Sequence, residues 1–216
     1  MNHTHPNSMY IPLSIPSKMH ELAKGLGAQC DGDDWSVPKG IDPFPFYRWL
    51  RGGKHVNLRA REYWIAHVSI ECPHCEVATP VIGFVLPIGH EELEVAESGE
   101  HTHWVKQDNF CFLSQISYLL PPVYDQLKPI YHWYQPRMVA ERKVIRYLNC
   151  CIACHQFIDD LDLTAEPGQA FMPLDERGAH SIQLHFVKGS FMAAAHEWTE
   201  DLPWIEEKLV YANPKS

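Results

Sequence analysis

Two short hairpins, Cys72-Pro-His-Cys75 and Cys151-Ile-Ala-Cys154, constrain this chain more than any other feature. A thiolate metal site takes two sulfurs from one tight turn, whose backbone amides point at the sulfurs, and two such turns close a tetrahedron. Cys72, Cys75, Cys151 and Cys154 are therefore expected to hold a structural Zn2+. The competing reading is a redox dithiol, which belongs beside a strand-helix-strand unit; two hairpins with strand-like flanks favour metal. A whole subdomain separates the hairpins. Loop-closure entropy grows only logarithmically with length, so such an insertion is tolerable if it folds by itself.

The chain does not have to rely on metal for its core. With 216 residues, 45% of them hydrophobic, it can bury a sizeable interior. The opening Met-Asn-His-Thr-His-Pro-Asn-Ser has no charged n-region or apolar stretch of a secretion leader, and the apolar run Ile116 to Leu120 stops at Pro121-Pro122. A cytoplasmic protein with no membrane partner is expected. Seven cysteines fit that compartment: four on zinc leave Cys30, Cys111 and Cys150 as free thiols.

Local patterns predict an α+β chain. Met9 to Ser14 reads as a strand, Ser17 to Lys24 as a helix ended by Gly25 and Gly27, Ala28 to Pro38 as a hairpin turning at Gly32-Asp33-Asp34, and Asp42-Pro43 as the start of a helix. Residues 1–52 thus form a small β-α-β-β-α unit. A basic linker, 53–62, leads into a domain over 63–216. There Tyr63 to Glu71 and Val77 to Leu86 flank the first hairpin as strands, while Val144 to Asn149 and Phe157 to Leu163 flank the second. Phe110, Leu113, Ile116, Ser117 and Leu120 fall at helical spacing, so a helical insertion is expected over about 104–142. Ser181 to Val187 reads as a strand and Glu200 to Lys208 as a terminal helix.

The first unit resembles the family called domain of unknown function 5710. The resemblance rests on Met9-Tyr10-Ile11-Pro12-Leu13, Leu26-Gly27-Ala28, the tryptophan hairpin Asp31 to Pro38, and Phe44-Pro-Phe-Tyr-Arg-Trp-Leu50. Proteins of this family often carry a split zinc ribbon, to which Tyr147-Leu-Asn-Cys-Cys151-Ile-Ala-Cys154 and Glu166-Pro-Gly-Gln-Ala-Phe-Met-Pro173 are similar at matching spacing. Three positions depart from the pattern: Cys30 replaces an aromatic, Cys150 a histidine, and His155 a glycine. The resemblance implies a split four-cysteine ribbon and a place among the cargo of plasmids and integrative elements, where related domains join nucleic-acid-processing proteins. It implies no activity.

Charge decides between partners. The formal net charge of −9 argues against indiscriminate coating of nucleic acid. Yet Arg48, Arg51, Lys54, Arg59 and Arg61 lie together with no acid among them, and with Trp49 they are the candidate contacts to DNA or RNA. A solvated linker is the plain alternative for such a strip. Catalytic patterns are thin. His196-Glu197-Trp-Thr-Glu200 misses the second histidine of a zinc hydrolase, Glu141-x-Lys143 lacks the upstream aspartate of a magnesium nuclease, and no phosphate loop or serine elbow is present. Two readings remain: a zinc-stabilised nucleic-acid-binding protein of a mobile element, or an inhibitor or adaptor that binds a host protein. The sequence does not set the oligomeric state.

Overall fold

The computed structural model describes residues 10–95, 102–139, 143–200 and 202–211. At the N-terminus, β1 (Ile11–Leu13), α1 (His20–Gly25), β2 (Gln29–Asp31) and β3 (Asp34–Val37) follow in order, and β3 pairs antiparallel with both other strands. Helix α1 ends because Gly27 adopts φ +100°, letting Ala28 donate back to the Ala23 carbonyl at 2.9 Å. The final helix of the unit is a 3-10 helix, Phe44–Trp49, led by Pro43. Its end returns to β1, where Ser14 donates to the Trp49 carbonyl and Arg51 to the Pro12 carbonyl.

The main sheet comes next. It contains β4 (Leu58–Glu71), β5 (Ala78–Leu86), β6 (Glu91–Val95), β7 (Thr102–Lys106) and β8 (Cys111–Leu119). Further along are α2 (Pro121–Leu127), β9 (Tyr134–Val139), β10 (Val144–Cys150), β11 (Phe157–Ile158), α3 (Leu161–Thr164) and α4 (Glu176–Ser181). The chain finishes with β12 (Gln183–Thr199) and α5 (Pro203–Tyr211). β4 pairs with β5, β5 with β8, β8 with β12, and β12 again with β4, so the ladder closes on itself. Closure leaves these four strands with few free edges. The β6–β7 hairpin extends the sheet beside Leu58 and Arg59.

Alternation along β4 sorts the core. Tyr63 and Ile65 join a cluster that contains Phe84, Leu86 and Phe191 and runs without a break into Ile11, Leu13, Trp35 and Phe46 of the N-terminal unit. Ala66 and Val68 face the other side, where Val81, Val85, Phe112, Phe171, Ile182 and Trp204 gather under α3 to α5. β5 is buried on both faces, which is why Val81 to Leu86 is a continuous apolar run. Gly83 within it is required by a close approach: a Cβ there would come within 2.2 Å of the Phe112 ring.

The helical insertion expected over 104–142 is not formed. Cys111–Leu119 is a strand, and the one helix among the described residues of that span is α2. The misleading spacing has a physical origin. Gln115 takes φ +53°, and this break in the pleat moves the first cluster's next residue after Cys111 and Leu113 to Ile116, so that Leu113 and Ile116 stand three apart as they would on a helix. The break is held from outside the strand, because the Gln115 amide donates to the buried Asp160 carboxylate at 2.6 Å. Burial raises the Asp160 carboxyl to about 6, against the opposing pull of that amide and of Arg146.

Two other expectations shift. The segment 53–62 supplies the first residues of β4, and the strand expected over Phe157 to Leu163 lasts two residues before α3 begins.

Candidate metal centre

The loop between β4 and β5 carries Cys72 and Cys75; the loop between β10 and β11 carries Cys151 and Cys154. Each turn is built alike. The Cys72 amide donates to the Val77 carbonyl at 3.1 Å, and the Glu76 amide returns to the Cys72 carbonyl at 2.9 Å. In the second turn Cys151 donates to Gln156 at 2.9 Å and His155 to Cys151 at 3.0 Å. To close, both turns put their fifth residue in the left-handed region, Glu76 at φ +61° and His155 at φ +59°. The position that reads glycine in the resembling sequences is thus a left-handed position, occupied here by a histidine.

Amides aim at the sulfurs in both turns. His74 N–H lies 3.4 Å from Cys72 Sγ, and Ala153 and Cys154 N–H lie 3.4 and 3.5 Å from Cys151 Sγ. All four sulfurs are within 4.8 Å of one another, with Cys72 3.8 Å from Cys154 and Cys75 3.7 Å from Cys151. Sulfurs bound to one zinc-like ion at about 2.3 Å in a tetrahedron sit about 3.8 Å apart, whereas a disulfide needs about 2.05 Å. The spacing is that of ligands around a common centre.

Crowded thiols compete for protons. The Cys154 amide, with that of Ala153, draws the Cys151 thiol down to about 6. At Cys154 the Gln156 amide pulls the same way, but burial and the bonds to Cys151, Cys75 and Cys72 outweigh it and leave the thiol at about 12. A dication that accepts four thiolates removes this conflict and releases protons on binding. With four sulfur donors and no position left for water, the set suits a structural ion and offers no catalytic opening.

A side chain that sequence reasoning passed over joins β10 to β5, the strands beside the two cysteine turns. Asn149, fully buried at the end of β10, accepts from the Ile82 amide and donates to the Ile82 carbonyl, both at 2.9 Å. β8 pairs with β5 only over residues 84–86, so the Asn149 amide substitutes for a missing strand at Ile82. Thr79 Oγ1 accepts from Ile152 at 3.1 Å, and His74 Nε2 meets the Phe157 carbonyl at 3.0 Å, adding two crossings next to the sulfurs. The only sequence signal was an asparagine at the end of the strand-like segment Val144 to Cys150.

The basic strip is arranged differently. Arg59 makes a bidentate pair with Glu91 at 2.8 and 3.1 Å and lies between the Phe44 and Trp104 rings, 4.9 and 4.2 Å from their centroids. Arg61 pairs with Asp42 through two bonds of 2.7 Å and also lies over the Phe44 ring. Burial would raise the Asp42 carboxyl, but the Arg61 bonds and the Phe44 amide hold it below the usual value. Arg51 reaches Asp34 at 3.2 Å, and Arg48 bonds the Tyr47 hydroxyl and Thr102. Trp49 is half-buried against the core, and Lys54 is exposed with no carboxylate in reach among the described residues.

The other catalytic candidates do not converge. His196 lies on β12, not on a helix, and Glu141 lies outside the described residues. Among the described residues no helix is long and apolar enough to cross a membrane.

Comparison with known proteins is sparse. No family model matches the chain, and no solved structure matches it. A stretch of 51 residues, 23% of the chain, is 41% identical to a segment of a DNA primase TraC of Escherichia coli. The match covers 5% of that protein. The chain is accordingly a mixed α+β protein, mostly strands, with a four-cysteine cluster of the kind that holds a metal ion and a short stretch of likeness to a DNA primase.

Proposed function

We propose that this chain is a zinc-stabilised binding protein of a mobile genetic element that recognises nucleic acid. The observation that carries the zinc assignment is the four-sulfur cluster, since soft thiolates in a tetrahedral set select zinc over the hard cations. Zn2+ on Cys72, Cys75, Cys151 and Cys154 would tie two ribbons that belong to distant stretches of the chain. Nucleic-acid recognition is supported by the partial likeness to a DNA primase and by the basic strip. Within that strip the roles divide. Arg48, Arg51, Lys54 and Arg61 are exposed and can turn to phosphate, while Arg59 is committed to Glu91 and two rings, and Trp49 is half-buried. A mobile-element origin is supported by the family resemblance of the first unit and of the second ribbon.

Metal analysis of protein purified under reducing conditions should return one zinc per chain. Titration of labelled single- and double-stranded DNA and of RNA, at low and at moderate salt, should show binding that weakens as salt rises. Binding to none of them by the zinc-loaded protein would refute nucleic-acid recognition. It would leave the second reading, an adaptor or inhibitor docking on a host protein, which the net charge of −9 favours.

A further inference from the structure

A cavity of about 340 Å3 opens beside the first cysteine turn. Its lining is mixed: Ile70 at the end of β4, Pro73 between the two ligating cysteines, Ile158 of β11 and Ala170 give the apolar part, and Gly168 and Gln169 join them with polar groups. Glu71 and Asp162 add two exposed carboxylates to the lining. Among the described residues no lysine, arginine or histidine comes within ion-pair distance of either carboxylate. The remaining wall is the loop carrying Glu166 to Pro173, the second half of the ribbon signature, which plays no role in holding the sulfurs. That loop is firmly shaped: Gly168 at φ +94° donates to the Met172 carbonyl at 2.7 Å, the Glu166 amide donates to Gln169 Oε1 at 2.8 Å, and Phe171 anchors it through a 3.0 Å bond to the Leu163 carbonyl.

We infer that this cavity receives the side chain of an arginine or lysine from a basic segment of a protein partner. The chemistry is complementary. The apolar part of the lining accepts the aliphatic stem, and two carboxylates with no ion-pair partner among the described residues meet the charged end, the division by which long cationic side chains bury their stems and keep their heads polar. A nucleic-acid backbone is the wrong occupant, since Glu71 and Asp162 would face its phosphates. The site therefore lies apart from the basic strip and does not depend on that strip binding nucleic acid. Because Pro73 sits inside a metal-binding turn, loss of the metal would deform the wall, so the cavity is coupled to the integrity of the cysteine centre.

The test is a titration of the intact, metal-loaded protein followed by backbone amide NMR shifts. The probes are N-acetyl-arginine amide, N-acetyl-lysine amide, the uncharged N-acetyl-norleucine amide and a short oligothymidylate. The two cationic probes should give saturable shifts confined to residues 70–73, 158–162 and 168–170, with millimolar dissociation constants. Norleucine should give none that saturate. Glu71→Gln and Asp162→Asn should each weaken the cationic probes about fivefold, the scale of an exposed ion pair. Ala170→Leu, which fills the cavity without altering charge, should remove the shifts. Retained zinc stoichiometry shows that each variant is folded at the ribbon. The inference is overturned if no saturable shifts appear, if norleucine binds as well as arginine, if the carboxamide variants bind unchanged, or if the oligonucleotide moves the same resonances.

Discussion

The cysteine centre and the basic strip begin as the same kind of observation, like residues repeated at short spacing, and they end differently in space. Four sulfurs from two distant turns come within 4.8 Å, an approach that a shared metal accounts for and that groups with so little else to gain would not otherwise make. Four arginines from one continuous segment separate onto different partners, Asp34, Asp42 and Glu91 among them, while the fifth cation, Lys54, has no carboxylate in reach among the described residues. The difference lies in the side chains. A cysteine sulfur is one bond from Cβ, so its position follows from the backbone turn; an arginine has a long stem and settles on the nearest carboxylate or ring. Spacing in sequence is thus a strong guide for short ligands and a weak one for long charged groups.

Removing a ligand breaks the comparison most severely. Cys151→Ser should take zinc from one per chain to near zero and lower the unfolding free energy by about 4 kcal/mol or more, the range associated with lost metals and networks. The loss should be local, since the Tyr63, Phe84 and Phe191 cluster does not include the sulfurs. Hydrogen exchange checks this: amides of 70–80 and 149–158 should lose protection while those of 58–65 keep it. Unchanged metal content in this variant would contradict the four-ligand assignment.

Asn149→Ala asks whether the two cysteine-bearing segments are joined by metal alone. It strands the Ile82 amide and carbonyl in a buried site, and each unsatisfied group costs about 1–3 kcal/mol. A destabilisation of about 3 kcal/mol with zinc still bound is expected, measured by urea unfolding alongside metal analysis. Stability unchanged within error would mean that water can replace the clasp.

In the strip, a pair of variants separates structure from binding. Arg59→Ala should cost about 1–2 kcal/mol of stability, because it removes a partly buried bidentate pair and two ring contacts, and should leave the salt dependence of nucleic-acid binding unaltered. Lys54→Ala should do the reverse, leaving stability alone and reducing the salt slope by about one. The Asp42–Arg61 pair adds a pH signature. The Asp42 carboxyl is held below its unfolded value, so its contribution is present above pH about 4 and is lost as pH falls through the lowered folded value. Exposure of both partners keeps this contribution small.

What the sequence disclosed follows the same logic as these variants. The mixed α+β character and the two cysteine turns that bring their sulfurs into one cluster could be read because each turn is set by neighbours close in the chain. The closed ladder of β4, β5, β8 and β12 could not, since its pairings join residues as far removed as Phe191 and Ala60. Cys111–Leu119 was obscured by a feature supplied from elsewhere, the Asp160 carboxylate that holds Gln115 out of the pleat. Asn149 was silent because its partner, Ile82, is set by the fold rather than by any local pattern.

The smallest expected effect is also the finest comparison, for it sets the two cysteine turns against each other. Glu76 and His155 occupy equivalent left-handed positions at φ +61° and +59°, where a Cβ is unfavourable and glycine is not. Both side chains are exposed, so replacing them sacrifices little packing. His155→Gly and Glu76→Gly should each stabilise the metal-bound protein by about 0.5–1 kcal/mol, less than the relief of strain alone because glycine also gains freedom in the unfolded chain. Since the two turns are built on the same bonds, the gains should be similar and additive in the double variant if the sites relax independently. A gain at one turn and a loss at the other would show that one of the two side chains does more than endure its backbone, and His155, beside the Cys150 thiol that meets its carbonyl at 3.2 Å, is where such a role would lie.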